Sequence, residues 1–259
     1  MSRAVVTGAS SGIGREFACR LGTEGVSVVM VGRDRGRLES VAAEVSAAGA
    51  AAELVVADLA DEAALRALEE RLARAKLDLL VNAAGLARFG QVAELERDQS
   101  ELLVRVNILG LMRLTQAALP GMVARGSGAI INVSSLMAFD DRPGWTPYVA
   151  TKAFVIRFTE NLAVELHGSG VRVQVLCAGP VRGTEFFARA GFDSTVLPDE
   201  VLMDPEAVVE ASLAALGRGE LLCVPGLPDP AAIEDHRLAR LRVLSEGRRG
   251  ALAERYRST

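Results

Sequence analysis

The sequence has few histidines and cysteines, and their scarcity excludes several kinds of site. Cys19, Cys177 and Cys223 are the three cysteines among 259 residues, and their wide separation fits neither a disulfide framework nor a thiolate metal site. The two histidines, His167 and His236, are too few for a histidine-rich metal centre. The sequence therefore predicts no bound metal.

A basic excess and a long apolar segment are also missing. The formal net charge is −4 and the arginines are spread along the chain, so we expect no nucleic-acid partner. The apolar run at 3–7 is too short for a signal-peptide core or a membrane span. Since half of the residues are hydrophobic, we expect a large buried core, no integral membrane segment and a cytoplasmic location.

Short Val-rich runs alternate with longer segments of helical periodicity, a pattern typical of βαβ units around a parallel sheet. Buried strands are predicted at 3–7, 26–32, 51–57, 77–82, 128–134, 171–177 and 220–224. Helices are predicted at 12–24, 34–48, 61–75, 98–125, 147–167 and 205–217. Asp34 and Asp61 are expected to cap two of them, and Pro120 to interrupt the fourth. The predicted fold class is α/β, a doubly wound parallel sheet of about seven strands with helices on both faces.

The carboxyl-terminal segment differs from the rest in composition. Residues 225–230 contain three prolines, and 231–257 is an Arg-rich stretch with leucines at helical spacing. We therefore predict one domain at 1–224. Residues 225–259 are predicted to form a helical extension packed on this domain or on a partner subunit.

A glycine-rich turn, TGASSGIG at 7–14, directly follows the first predicted strand and opens a helix. Glycines at 8, 12 and 14 permit positive φ and a close approach of the backbone to a ligand. The free N–H groups of the helix amino end attract phosphate. We interpret the turn as a dinucleotide phosphate site, with an ordinary tight turn as the alternative.

The end of the second predicted strand bears on the choice between the two nicotinamide cofactors. An acid there binds the ribose 2′-hydroxyl, whereas a cation pairs with a 2′-phosphate. This chain has Arg33 at that point, and Asp34 fits a helix cap better than a ribose ligand. The sequence therefore favours NADPH or NADP over NADH.

Tyr148 and Lys152 are one helical turn apart, so their side chains share one face of the fifth predicted helix. A phenol has a pKa of roughly 10, and a nearby ammonium favours its ionised form. Ser135 ends the preceding strand, at the edge where ligands of open parallel sheets bind. This constellation indicates proton transfer to or from a bound substrate.

These motifs together resemble the short-chain dehydrogenase/reductase family from residue 3 to about 224. The turn at 7–14 matches that family's cofactor turn, Asp58 its adenine-contacting acid and NAAG at 82–85 its fourth-strand motif. The catalytic tetrad is matched by Asn107, Ser135, Tyr148 and Lys152. The resemblance implies a Rossmann-like fold and a homodimer or homotetramer formed through the fourth and fifth helices.

The resemblance also implies residue roles. Tyr148 would be the general acid or base, and Ser135 would hold the substrate oxygen. Lys152 would bind the nicotinamide ribose and lower the pKa of the tyrosine, while Asn107 would fix a helix irregularity and a proton-relaying water. The predicted cofactor contacts are Gly8, Ser10, Ser11, Gly12, Ile13, Gly14, Arg33, Asp58, Leu59, Asn82, Ala84, Gly85, Tyr148, Lys152, Pro180, Val181 and Thr184.

The chain departs from the family pattern after the sixth strand. Ala178 stands where a proline is usual, and Thr184 lies one residue later than the commonest spacing. Gly183 would absorb the extra residue. The predicted substrate contacts are Ser135, Met137, Trp145, Phe186 and Phe187. The last four are apolar, which indicates a small apolar ketone, aldehyde or secondary alcohol.

The sequence thus predicts an oxidoreductase that transfers hydride between NADP(H) and such a substrate, in the manner of a carbonyl reductase. A non-catalytic NADPH-binding regulator or scaffold on the same fold is the alternative. A serine hydrolase based on Ser134 or Ser135 is disfavoured, because no Gly-x-Ser-x-Gly elbow surrounds either serine.

Overall fold

A computed structural model describes residues 2–257 of the chain. Its centre is one parallel sheet of seven strands in the order β3-β2-β1-β4-β5-β6-β7. The strands are β1 (Arg3–Thr7), β2 (Ser27–Gly32), β3 (Ala52–Val56), β4 (Leu79–Asn82), β5 (Gly128–Ser135), β6 (Val171–Ala178) and β7 (Leu222–Cys223). The strand order reverses direction between β1 and β4, which is where such sheets bind ligands. The prediction of a doubly wound, Rossmann-like sheet is confirmed.

Helices connect the strands and cover both faces of the sheet. They are α1 (Gly12–Thr23), α2 (Arg35–Ala47), α3 (Glu62–Arg74), α4 (Arg97–Val104), α5 (Leu111–Arg125), α6 (Thr146–Glu165), α7 (Phe186–Arg189), α8 (Pro205–Gly217) and α9 (Ala231–Gly247). The predicted caps are confirmed: Asp34 accepts a hydrogen bond of 3.0 Å from Arg37 N, and Asp61 accepts one of 2.8 Å from Ala64 N. Each carboxylate satisfies a backbone N–H that the first helical turn leaves without a partner.

Two apolar clusters fill the space between the sheet and its helices. Phe17 of α1 and Leu38 of α2 belong to one cluster, and Leu68 of α3 and Leu114 of α5 belong to the other; all four are at most 2% exposed. Successive β1 residues alternate between the two clusters because side chains along a strand point to opposite faces. The sheet is therefore packed on both faces, and this packing fixes the positions of the residues at its carboxyl edge.

Strand β3 differs from the expectation of burial on both faces. It forms one edge of the sheet, and its residues are only partly buried or exposed, with Val56 43% exposed. An apolar run in the sequence does not distinguish an edge strand from a central one, because that position depends on strand order.

The expected interruption at Pro120 is wrong. Pro120 lies inside α5, and the irregularity is instead a π-helical segment, Arg105–Gly110, which joins α4 to α5. Proline removes one N–H donor and leaves one carbonyl, that of residue 116, without its helical partner. The buried residues Ala118 and Met122 anchor the helix on both sides of the proline.

The continuous helical stretch Arg97–Arg125 is also long and apolar enough, by length and composition, to cross a membrane. Its most apolar window is 44% buried within the protein. Leu114, Ala118 and Met122 are part of the core cluster beneath the sheet. This burial explains the apolar composition as that of a core helix.

The described residues divide into two compact units after Pro225, and the first unit contains the whole sheet. The second unit contains α9, which has no buried residue. Within the Arg-rich stretch 231–257, α9 ends at Gly247, and a short 3-10 turn, Glu254–Tyr256, follows. Gly247 and Gly250 lower the helical propensity of this segment.

Candidate active site

A cavity of about 880 Å³ opens at the carboxyl edge of the sheet. It runs from the ends of β2 and β3, past the glycine turn after β1, to the ends of β5 and β6. The predicted site residues that line it are Gly8, Ser10, Ser11, Gly12, Ile13, Gly14, Arg33, Asp58, Leu59, Ala84, Gly85, Ser135, Met137, Trp145, Tyr148, Lys152, Pro180, Val181, Thr184, Phe186 and Phe187. The fold therefore places these predicted contacts, which are far apart in the sequence, around one elongated cavity.

The glycine turn packs backbone against backbone on the end of β4. Gly8 and Gly12 have φ of +69° and +56°. A Cβ on Gly8 would lie 2.9 Å from Ala84 Cα, and one on Gly14 would overlap the Gly8 carbonyl. Only glycine fits this cradle, which leaves the amino end of α1 facing the cavity. The turn thus fits the diphosphate of a dinucleotide, which needs close backbone approach and a helix amino end.

At the other end of the cavity, Arg33 and Asp58 follow β2 and β3. Arg33 Nη1 lies 3.7 Å from Asp58 Oδ2, and both side chains are well exposed. Ala60 N donates a hydrogen bond of 2.9 Å to Asp58, which orients the carboxylate. At this point, a guanidinium suits a phosphate or a ribose hydroxyl of an adenosine moiety, and a carboxylate suits its base.

Tyr148, Lys152 and Ser135 meet at the inner end of the cavity. Tyr148 and Lys152 are both 4% exposed and face the end of β5 from α6. Lys152 Nζ donates a hydrogen bond of 3.0 Å to Val133 O. Ser135 Oγ accepts one of 3.2 Å from Met137 N. The phenol, the hydroxyl and the amine therefore border the same enclosed space.

The chain's own groups shift the pKa values of this pair in directions set by burial. Burial raises the pKa of Tyr148 to about 12, and its hydrogen bond with the Ser135 side chain opposes the rise. Burial lowers the pKa of Lys152 to about 8. The expected lowering of the tyrosine pKa is therefore not produced by these groups alone, because burial outweighs the hydrogen bond with Ser135.

Asn107 lies behind the cavity wall and does not line it. It belongs to the π-helical segment Arg105–Gly110 and is 1% exposed. Its amide accepts from Leu86 N at 2.9 Å and donates to Leu86 O at 2.9 Å and to Thr151 Oγ1 at 3.0 Å. A Cβ on Gly85 would lie 3.4 Å from Asn107 Oδ1 and 3.2 Å from Lys152 Nζ. Asn107 thus joins the loop after β4 to α6 close to the lysine.

Asn82 was predicted as a cofactor contact, but its side chain points into the interior and does not line the cavity. It donates hydrogen bonds to Asn132 Oδ1 at 2.9 Å and to Thr115 Oγ1 at 3.1 Å. Asn132 in turn donates to Thr159 Oγ1 at 3.0 Å. This buried chain of amides and hydroxyls links β4 and β5 to their covering helices, a tertiary role that the NAAG motif does not reveal.

Thr184 reaches the cavity despite its shifted position. Gly183, directly before it, has φ of +67°, a backbone conformation that glycine adopts without strain. Thr184 Oγ1 donates a hydrogen bond of 3.1 Å to Val181 O. The threonine hydroxyl therefore already has a backbone partner within its own turn.

Aromatic rings surround the end of the cavity that Tyr148 borders. The Phe186 ring centroid lies 5.7 Å from that of Tyr148. Phe89 stacks on Trp145 with centroids 4.0 Å apart, and Phe192 meets both rings at 5.8–5.9 Å. Phe89 and Phe192 were not among the predicted substrate contacts. The position of Phe89, four residues after the NAAG motif, could have indicated that it lies near the cavity.

No cluster of three or more histidine, cysteine or carboxylate side chains suited to a metal occurs among residues 2–257. The acids and bases of the cavity instead occupy separate places: Arg33 and Asp58 at one end, and Tyr148 and Lys152 at the other. The arrangement suits binding of an elongated ligand with proton transfer at one end.

Comparison with known proteins gives a consistent result. A family model described as short chain dehydrogenase matches residues 2–193. An uncharacterized oxidoreductase of Staphylococcus saprophyticus is 36% identical over 221 residues, which are 82% of this chain and 90% of that protein.

Two solved structures resemble the chain over nearly its full length. A short-chain dehydrogenase from Sphingobium yanoikuyae in complex with NADPH aligns with a TM-score of 0.94 at 36% identity, covering 99% of this chain and 100% of that one. A bulky-bulky ketone specific alcohol dehydrogenase from Comamonas testosteroni aligns with a TM-score of 0.91 at 31% identity, covering 100% and 99%.

Proposed function

The chain belongs to the short-chain dehydrogenase family of oxidoreductases, and from this premise we propose that it is an NADP(H)-dependent carbonyl reductase. Its substrates would be apolar ketones or aldehydes and, in reverse, the corresponding secondary alcohols. The observation that carries the proposal is the meeting of Tyr148, Lys152 and Ser135 at one end of a cavity that runs past the glycine turn to Arg33 and Asp58.

The chain's own residues would handle the proton and the substrate oxygen. The bound nicotinamide ring would supply or accept the hydride. Ser135 Oγ would donate a hydrogen bond to the substrate carbonyl oxygen, and the Tyr148 hydroxyl would transfer its proton to that oxygen during reduction. Lys152 would bind the ribose, and its ammonium would stabilise the phenolate that this proton transfer leaves on Tyr148. Asn107 would hold the lysine's surroundings in place.

Three observations support NADP(H) over NAD(H). Arg33 lies at the cavity end where a 2′-phosphate would sit, and a forked guanidinium recognises phosphate well. Asp34 is engaged as a helix cap through Arg37 N. The Sphingobium relative is described in complex with NADPH.

The apolar lining supports a hydrophobic carbonyl substrate. Met137, Trp145, Phe186 and Phe187 all face the cavity, and rings from Phe89 and Phe192 back them. Such walls bind apolar groups through area burial without demanding a charged substituent. The Comamonas relative is described as specific for bulky ketones, which is consistent with this class.

The predicted homodimer or homotetramer, the cytoplasmic location and the role of residues 225–259 stay predictions. α9 carries Leu238, Leu241 and Leu244 at 45–49% exposure. These leucines mark the face that packing on a partner subunit would cover.

The deciding experiment measures NADPH oxidation with a panel of aliphatic and aromatic ketones. Tyr148→Phe should lower kcat by about 10²- to 10⁴-fold, the range of general acid–base catalysis, while NADPH binding stays nearly intact. Tyr256→Phe changes the other tyrosine, which is 63% exposed, and should leave the rate unchanged. Full activity of Tyr148→Phe would refute the mechanism, and binding without turnover of any carbonyl would favour a regulator or scaffold.

A further inference from the structure

Arg37 and Glu185 form a forked ion pair between segments that are 148 residues apart. Arg37 Nη1 and Nη2 donate to the two Glu185 carboxylate oxygens at 2.6 and 3.0 Å. Arg189 Nη2 donates to the same carboxylate at 2.6 Å, and Asp34 lies 3.3 Å from Arg37 Nε. The four side chains form an alternating chain of acids and bases from the start of α2 to α7.

The pair stays ionised over the neutral range. The Arg37 guanidinium, followed by Arg189, lowers the pKa of Glu185 to about 2. Two donors in parallel on one carboxylate also fix the direction of both side chains. The contact is therefore a defined link between α2 and the segment after β6.

The link lies beside the glycine turn. A second hollow of about 300 Å³ is lined both by the pair and by turn residues, namely Ser10, Ser11, Gly12, Arg37 and Glu185 among others. Next to Glu185, Thr184 also approaches the turn, since a Cβ on Gly12 would lie 3.3 Å from Thr184 Cγ2.

Glu185 is also continuous with the wall of the main cavity. Thr184 and Phe186, its chain neighbours, both line that cavity. Holding Glu185 in place therefore holds the segment that faces the proposed cofactor and substrate.

We propose that Arg37 and Glu185 are positioning residues, a strap that keeps segment 183–189 over the bound dinucleotide and slows its release. This inference rests on the proposed function. The strap binds neither the 2′-phosphate nor the substrate, so it acts equally on NADPH and NADH. Exposed ion pairs contribute modestly and weaken with salt, so we expect release rates to rise by about 2- to 5-fold when the pair is broken.

The test measures dinucleotide release by stopped-flow fluorescence for Arg37→Ala, Glu185→Gln and the double variant. The three should release NADPH and NADH faster by the same factor, and the double variant should be no faster than either single one. Arg35→Ala, whose residue lies 3.9 Å from Glu39, is the matched control and should match wild type. High salt should accelerate release by a larger factor in wild type than in the variants, because only wild type still has the ion pair to be screened.

A second measurement needs no dinucleotide. Hydrogen exchange of backbone amides in 186–192 should be faster in both single variants than in wild type, because the tether is lost. Unchanged exchange and unchanged release would overturn the strap. Faster release of NADPH only, confined to Arg37→Ala, would also overturn it and make Arg37 a phosphate ligand. If wild type binds neither dinucleotide, the proposed function fails and the retention role fails with it.

Discussion

The Lys152 Nζ lies 5.9 Å from the centroid of the Tyr148 ring, with the hydroxyl end of the phenol beside Ser135. The amine donates to Val133 O and so faces the end of β5. At this range an ammonium would favour phenolate, yet burial of both groups pushes each towards its uncharged form. The chain alone thus holds a protonated phenol, the form that carbonyl reduction requires.

The ionisation of Tyr148 is directly measurable. The difference in phenolate absorbance between wild type and Tyr148→Phe reports the ionisation of Tyr148. In protein without dinucleotide, this signal should appear near pH 12, because burial raises the pKa of Tyr148 to about 12. Oxidised dinucleotide should move this transition to lower pH, because a cationic ring close by favours phenolate. A transition below pH 10 in protein alone would contradict the burial argument.

Lys152 should reduce the stability of the folded protein at neutral pH. Its folded pKa of about 8 is below the ordinary 10.5, so the cost of burying the ammonium is present below pH 8. Stability is regained as pH rises from 8 to 10.5, where only the unfolded chain keeps the proton.

The comparison that checks this uses Lys152→Met and Lys76→Met, which replace the chain's two lysines. At pH 7, Lys152→Met should raise Tm by about 2–4 °C, equivalent to roughly 1 kcal/mol after loss of the Val133 hydrogen bond. The increase in Tm relative to wild type should be smaller at pH 10. Lys76 is exposed, so its variant should show no such pH dependence. A Tm of Lys152→Met below wild type at every pH would rule the argument out.

Arg33→Ala should change the cofactor preference. Loss of a charge-assisted contact of about 1.5–3 kcal/mol would raise KM for NADPH by roughly 10- to 100-fold and leave KM for NADH nearly unchanged. Parallel steady-state kinetics with both cofactors measure this, with Arg35→Ala as the neighbouring control. An unaltered ratio of the two KM values would remove Arg33 from cofactor selection.

Phe186→Ala should widen the substrate end of the cavity. Since Phe186 lines the cavity beside the Tyr148 ring, bulky aryl ketones should gain kcat/KM relative to small ones, which lose apolar contact. The ratio of kcat/KM across a ketone size series measures the change. Phe139→Ala, at a residue that is 42% exposed, should keep the wild-type ratio; a constant ratio in both variants would place the substrate elsewhere.

Some features follow from short stretches of sequence. The alternation of apolar runs predicted the parallel sheet, and Asp34 and Asp61 were predicted as caps, because these depend on residues within one or two turns. The glycine turn was equally readable, since positive φ and close backbone approach restrict the choice to glycine.

Other features depend on contacts between distant segments, so the tertiary structure alone decided them. The Asn82 side chain turns away from the cavity because Asn132 and Thr115 offer partners. Phe89 joins Trp145, and Arg37 meets Glu185, across long separations in the chain. The pKa values of Tyr148 and Lys152 were likewise decided by burial, which is a property of packing. The sequence determined which groups are present and on which elements, whereas the fold determined their neighbours and their contact with water.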